Sequence, residues 1–140
     1  MHRLLRLHYG NGAYTVTPSP APRAVTFSLD AFFAGELEAI DSLAVRTGGT
    51  DFQRRVWDAL RRIPAGTTTS YGQLATAIGR PDAVRAVGLA NGANPVVIVV
   101  PCHRVIGADG SLTGYGGGIE RKRWLLAHER ACIGRRKQSA

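Results

Sequence analysis

The sequence predicts an α+β chain that is mainly helical in its C-terminal part, and three features carry that expectation. Thr50 with Gln53 and Ser70 with Gln73 both have the spacing of a capping box, in which a hydroxyl and an amide three residues apart close the first turn of a helix. An unbroken apolar run, Val96–Val100, lies between Pro95 and Pro101 and has the length of a buried strand. Glycine-rich segments at 107–110 and 114–118 then turn the chain before a last helix.

Residues 1–27 carry little pattern. The Asn11-Gly12 pair sits between partly alternating segments and reads as a hairpin, and "PSPAP" at 18–22 is extended punctuation. The stretch "SLDAFFAGELEAI" at 28–40 has helical spacing, with Ser28 as cap and Leu29, Phe32, Phe33 and Leu37 on one face. "RTGGT" at 46–50 separates it from the next helix. That helix is expected from Thr50 through "DFQRRVWDALRRI", with Phe52, Val56 and Leu60 as its apolar stripe and Pro64 and Gly66 ending it.

The second capping box opens "YGQLATAIG". Gly79 interrupts, Pro81 suits the first position of another helix, and "DAVRAVGLANG" continues it. Two short helices joined by a tight turn make a helix-turn-helix, an arrangement also common in ordinary packing. The strand at 96–100 ends at Pro101-Cys102-His103-Arg104. In the last helix, "IERKRWLLAHERACI", Trp124, Leu125, Ala127 and His128 are expected inside and Arg121, Lys122 and Arg123 outside, with "GRRKQSA" as a frayed basic tail.

Composition narrows the class. With 140 residues and 44% apolar content the chain can build one core, and its longest apolar run is too short to cross a bilayer. Arg6 and His8 break the apolar residues of the N-terminus, which makes a poor secretory signal, so the reading is a cytoplasmic chain. Two cysteines, four histidines and no CxxC spacing leave neither a disulfide framework nor a structural metal site, and no cofactor is expected. Lysine and arginine number 18 against 10 acidic residues, a net charge of +8. A polyanionic partner and a merely solubilising surface both fit that excess.

The second helix of the pair has an unusual inventory. Ala83, Ala86 and Ala90 recur at helical spacing with Gly88 and Gly92 among them, and Arg85 is its only long polar side chain. A helix that reads base edges in the major groove needs several amide or cationic side chains. This one offers a nearly bare surface, suited either to packing on another helix or to close, sequence-indifferent contact with nucleic acid. Cys102 is open to two readings as well, a small buried hydrophobe or a nucleophile. A free thiol is mostly protonated at neutral pH and needs a base. His103 is adjacent, but neighbours on a strand point to opposite faces, so contact requires a turn or a bridging water. Glu129 is the carboxylate best placed to orient the histidine, in the manner of nucleophile–base–acid triads. Cys132, at a helix end, has no such surroundings.

"PCHRV" after the apolar run, "TTSYGQLA", "RAVG", "NP", "GYGGG" and "KRWLLAHE" together closely resemble the O6-alkylguanine-DNA alkyltransferases (methylated-DNA–protein-cysteine methyltransferases). The resemblance runs from about Thr50 to Glu129. It implies a winged-helix-like helix-turn-helix that binds double-stranded DNA in the minor groove as a monomer and flips an alkylated guanine out. Cys102 is then the acceptor of the alkyl group, from O6-alkylguanine and also from O4-alkylthymine, in a single irreversible turnover. His103 activates it through water, Glu129 orients His103, and Tyr71 assists flipping and protonates the leaving guanine. Arg85 fills the gap left by the base. Thr69, Ser70, Ala86, Gly88 and Asn94 are DNA-side residues, and Asn94 also joins the recognition helix to the segment before Cys102. Tyr115, Gly116, Gly117 and Val105 line the base pocket. A non-reactive damage sensor of the same fold would lack the cysteine, and a thiol hydrolase would leave the bare helix and Arg85 unexplained.

Two departures qualify the resemblance. The family usually carries serine where this chain has Gly116, which implies a roomier pocket that accepts alkyl groups larger than methyl. Family members also usually begin with a longer sheet-containing domain. The expected organisation is therefore a remnant of an N-terminal α/β domain and linker at 1–46, a catalytic and DNA-binding domain at 47–134, and a basic tail at 135–140.

Overall fold

The computed structural model describes residues 18–139; the hairpin expected at Asn11-Gly12 lies outside them. In chain order the elements are α1 (Arg23–Ala34), a 3₁₀ turn (Leu37–Ile40), α2 (Asp51–Leu60), β1 (Thr69–Ser70), α3 (Tyr71–Ala77), α4 (Val84–Gly92), a second 3₁₀ turn (Cys102–Arg104), β2 (Val105–Ile106) and α5 (Ile119–Gln138). The mainly helical α+β expectation holds.

α1 starts before the expected Ser28. Pro22 caps it through its carbonyl, which accepts from the Val25 and Thr26 amides at 2.9 and 3.1 Å, and Ser28 lies buried inside the helix. Phe32 and Leu37 face inward as expected, but Phe33 does not. Neighbours on a helix point about 100° apart, so only one of the two phenylalanines can enter the core. Phe32, Leu37 and Ile40 pack with Leu125 and Cys132 of α5, while Phe33 lies 5.9 Å from the Trp124 ring at the surface.

Both capping boxes form. Thr50 Oγ1 accepts from Gln53 N at 3.2 Å and Gln53 Oε1 from Thr50 N at 2.9 Å; the bonds between Ser70 and Gln73 are 3.1 and 2.9 Å. In α2, Val56 and Leu60 are buried together with Trp57, whose indole N–H donates to the Ala90 carbonyl of α4 at 2.9 Å. α4 begins at Val84, later than the expected Pro81, because residues 80–83 close a turn through Ala83 N to Arg80 O at 2.9 Å. Its small residues divide between packing and an open surface. Ala90 packs inward and Gly88 faces the Tyr71 ring of α3, whereas Arg85 and Ala86 remain exposed.

The expected strand at 96–100 is not a strand. Val100 N bonds Val96 O at 2.9 Å across a tight turn in which Ile98 has φ 76°. The Asn94 amide explains why: its Oδ1 accepts from Val96 N at 3.0 Å and its Nδ2 donates to Val100 O at 2.7 Å, satisfying groups that a partner strand would otherwise take. The sheet is instead the parallel pair β1–β2, with Thr69 opposite Val105 and Ser70 opposite Ile106.

α5 also departs from expectation. Its buried positions are Lys122, Leu125, Leu126, Glu129 and Cys132, so Lys122 is inside while Trp124, 53% exposed, and Ala127 are outside. Two charged residues occupy the inner stripe, which disguises it in an apolar-periodicity reading. The segment expected to fray continues as helix to Gln138, where Arg136 bonds the Glu38 carboxylate at 2.7 and 2.9 Å. Among the described residues no helix is long and apolar enough to cross a membrane.

Candidate active site

Cys102 opens the 3₁₀ turn after Pro101, and this turn supplies the bend that a Cys-His pair on a straight strand would lack. Its amide bonds Val100 O at 2.8 Å and its Sγ, almost fully buried, accepts from Asn94 Nδ2 at 3.0 Å. A β-branched residue in the left-handed region is costly, and the Ile98 conformation is held by Asn94 at both ends of the turn and by the packing of Ile98 on the α1–α5 core. Burial pushes the Cys102 thiol up from its ordinary value, against the Asn94 bond and the charge of Lys122, which pull it down. The resting group is therefore a thiol.

His103 is buried, with Nε2 2.8 Å from Glu129 Oε1. Burial holds the imidazole below its ordinary value, outweighing Glu129, so the ring is neutral. Burial would raise Glu129, but its bonds to His103 and Arg104 prevail and hold it at about 2. An ionised carboxylate accepts only, so Nε2 carries the hydrogen and Nδ1 the lone pair. Nδ1 is buried and has no hydrogen-bond partner among the described residues.

Glu129 is held from three sides. Arg104 Nη2 donates to Oε1 at 2.8 Å and Nε lies 3.1 Å from both oxygens, while Gly66 N donates to Oε2 at 2.8 Å. Gly66 has φ 77°, and a Cβ there would stand 2.6 Å from Ile133, so this position requires glycine. Arg104 Nη1 continues to Ile63 O at 2.6 Å. Lys122, fully buried, donates to Val105 O at 2.6 Å and Thr113 O at 2.9 Å, and the same Thr113 carbonyl accepts from Tyr71 Oη at 3.1 Å. Burial lowers the Lys122 ammonium below its ordinary value.

The expected pocket residues separate. Tyr115 is half-buried and packs against both cores, and its phenol is raised by burial and by the neighbouring Cys102. A Cβ at Gly117 would come within 2.6 Å of the Tyr115 ring, so only glycine lets the backbone approach it this closely; Gly116 is exposed. Val105 is fully buried in the core and contributes its carbonyl to Lys122. Thr69 and Ser70 stand at the start of α3, with Arg85 and Ala86 on the open side of α4. Among the described residues no group of three or more His, Cys, Asp or Glu could hold a metal ion.

A family of DNA-binding domains described as that of 6-O-methylguanine DNA methyltransferase matches residues 51–131. The chain belongs to that family. Methylated-DNA–protein-cysteine methyltransferases from Salmonella typhimurium and Mycobacterium tuberculosis are 57% and 55% identical to it over 129 and 130 residues. Each match takes in 92% of this chain, and 75% and 78% of those proteins. The crystal structure of Mycobacterium tuberculosis OGT in complex with DNA is 58% identical, covers 83% of this chain and 72% of its own, and superposes with a TM-score of 0.76. The O6-methylguanine-DNA methyltransferase of the archaeon Pyrococcus kodakaraensis, 32% identical, has a TM-score of 0.71 over 91% of this chain and 75% of its own.

Within the methyltransferase frame, the sequence pattern brings Cys102, His103, Glu129 and Asn94 to one place, and it misses Arg104 and Lys122. Arg104 adjoins Cys102 and His103 in "PCHRV", and that adjacency is its only signal. Its partner lies 25 residues on, so nothing local distinguishes it from a surface arginine. Lys122 is expected outside for the same reason, since its acceptors lie 17 and 9 residues away in the chain.

Proposed function

We propose that this chain repairs alkylated DNA by moving the alkyl group from the guanine O6 atom to Cys102, once per molecule, and that it treats O4-alkylthymine in the same way. The observation that carries the reading is the buried His103, whose Nε2–H is spent on an ionised Glu129 and whose Nδ1 lone pair is left unpaired in the turn that begins with Cys102.

In this mechanism a monomer meets the minor groove of duplex DNA with the start of α3, at Thr69 and Ser70, and the open side of α4, at Ala86. Gly88 faces the Tyr71 ring of α3, and Asn94 ties α4 to the turn before Cys102. Arg85 enters the space of the extruded base, offsetting part of an unstacking cost of a few kcal/mol. The guanine rests against Tyr115 and the backbone of Gly116 and Gly117, with Val105 behind them. His103 Nδ1 takes the thiol proton through a water molecule, and Glu129 stabilises the imidazolium that results. The sulfur then attacks the alkyl carbon, the carbon–oxygen bond breaks, and Tyr71 gives a proton to the leaving guanine. The Lys122 ammonium favours the transient thiolate, while the charge of Arg104 is paired with Glu129. The product is a thioether, which no group in this site is placed to hydrolyse, so the chain is consumed.

The test is intact-mass analysis after incubation with a duplex containing O6-methylguanine. The expected result is a gain of one methyl per chain, on the peptide containing Cys102, with none in Cys102→Ser. Tight binding without mass gain identifies a damage sensor instead, and turnover of an ester or peptide identifies a hydrolase.

A further inference from the structure

The open side of α4 is not uniformly bare. Leu89 is 71% exposed there, one turn after Arg85 and three residues after Ala86, so the three share a face. Gly92, three residues further on, has no atom within 4 Å of the place a Cβ would occupy. Val87 and Ala90 take the core side of the helix, and Leu89 has no part in either core cluster.

The closest approach of a helix to a flat partner is set by its tallest apolar side chain. Arg85 is long but can extend into a gap, whereas a leucine beside Ala86 and Gly92 must either hold the helix off the DNA or enter the groove with it. The minor groove is about 6 Å wide, and its sugar walls are apolar enough to accept an aliphatic side chain. Proteins that open the minor groove insert such side chains between base steps, and an aliphatic wedge reads no sequence.

We propose that Leu89 is a second wedge: one helical turn, about 6 Å, from Arg85, it inserts into the minor groove beside the extruded guanine and keeps the adjoining step unstacked. This rests on the DNA-repair reading of the Cys102 site. It makes Leu89 a positioning residue for extrusion, with no role in the chemistry at Cys102.

The experiment compares Leu89→Ala, Leu89→Ser, Leu89→Met and Arg85→Ala with the unaltered chain. Binding and extrusion are read on a duplex carrying O6-methylguanine next to 2-aminopurine, and transfer is read on that duplex and on free O6-benzylguanine. Loss of the leucine contact with the groove should weaken duplex binding about ten-fold in the alanine and serine variants, with a smaller 2-aminopurine signal. The ratio of duplex rate to free-base rate should fall by a similar factor, and Leu89→Met should recover most of it. The slope of log affinity against log salt should stay unchanged for all three Leu89 variants, because no charge is lost, and become shallower for Arg85→Ala. Equal or tighter binding by Leu89→Ala overturns the wedge and makes Leu89 a spacer. Failure of the unaltered chain to bind the duplex overturns the DNA reading, and the wedge with it.

Discussion

His103 Nε2 lies 2.8 Å from Glu129 Oε1, and the other ring nitrogen of His103 is buried without a partner among the described residues. One carboxylate thus decides which nitrogen of the imidazole can take a proton. Replacing Glu129 by Gln leaves the tautomer unfixed and Arg104 without its ion pair. Breaking a buried pair from one side costs about 3–5 kcal/mol. Glu129→Gln should therefore lower the denaturant midpoint strongly and slow transfer to Cys102 by about a hundred-fold or more. Equilibrium unfolding and single-turnover rates on methylated duplex check both.

Stability should depend on pH through the same pair. His103 is held below its ordinary value of 6.5 by burial, so below that pH the unfolded chain binds a proton that the folded chain refuses. Its contribution is present above pH 6.5 and is lost as the pH falls below it. Glu129 adds a second acid limb: held at about 2 against 4.5 unfolded, it supports the fold above pH 4.5 and loses that support on the way down to about 2. Urea midpoints should rise with pH from 5 to about 6.5 and level off above it. His103→Gln should flatten the rise, and an unchanged slope in that variant would assign it to other groups.

Lys122 joins Val105 O and Thr113 O, and so ties β2 to the loop whose carbonyl receives Tyr71 Oη. Lys122→Met removes the donor and takes a partner from the Val105 carbonyl, at a cost of about 1–3 kcal/mol where no water reaches it, while the Thr113 carbonyl keeps Tyr71 Oη. The expected outcome is a chain that folds with a lower midpoint and whose 105–115 segment exchanges its amides faster, seen by hydrogen exchange. Unchanged exchange in that window would show that Lys122 does not hold the loop.

Gly116 bears on the alkyl group. Without a side chain beside Tyr115, the pocket should accept a benzyl group, so transfer from benzylated guanine should run at a rate comparable to that from methylated guanine in the same duplex. A far slower benzyl reaction would show that Gly116 adds no usable room. Gly116→Ser should lower the benzyl rate more than the methyl rate.

Short-range order was legible in the sequence. The capping boxes at Thr50 and Ser70 and the break at Gly79 depend on residues within four positions of one another, and they form as read. The motif "PCHRV" likewise draws attention to Cys102 and His103, and the histidine-to-carboxylate relation with Glu129 follows from the roles such a triad requires. Local apolarity alone misleads in three places: the segment 96–100 as a strand, Phe33 and Trp124 as inward residues, Lys122 as an outward one.

Packing settles these because the partners are distant in sequence or absent from any hydrophobic pattern. Asn94 turns an apolar run into a clamped loop by satisfying its backbone polar groups, which removes the reason for a strand to pair. Arg104 and Lys122 enter the interior because a carboxylate in one case and two carbonyls in the other offset their desolvation, and those acceptors meet them only when α5 closes over the Cys102 turn. The order of residues was enough to place the capped starts of α2 and α3 and to single out Cys102 and His103 as candidates for the chemistry. Which charges lie buried beside Cys102 emerged only in the folded chain, because burial of a charge is set by the partners it finds and not by its neighbours along the sequence.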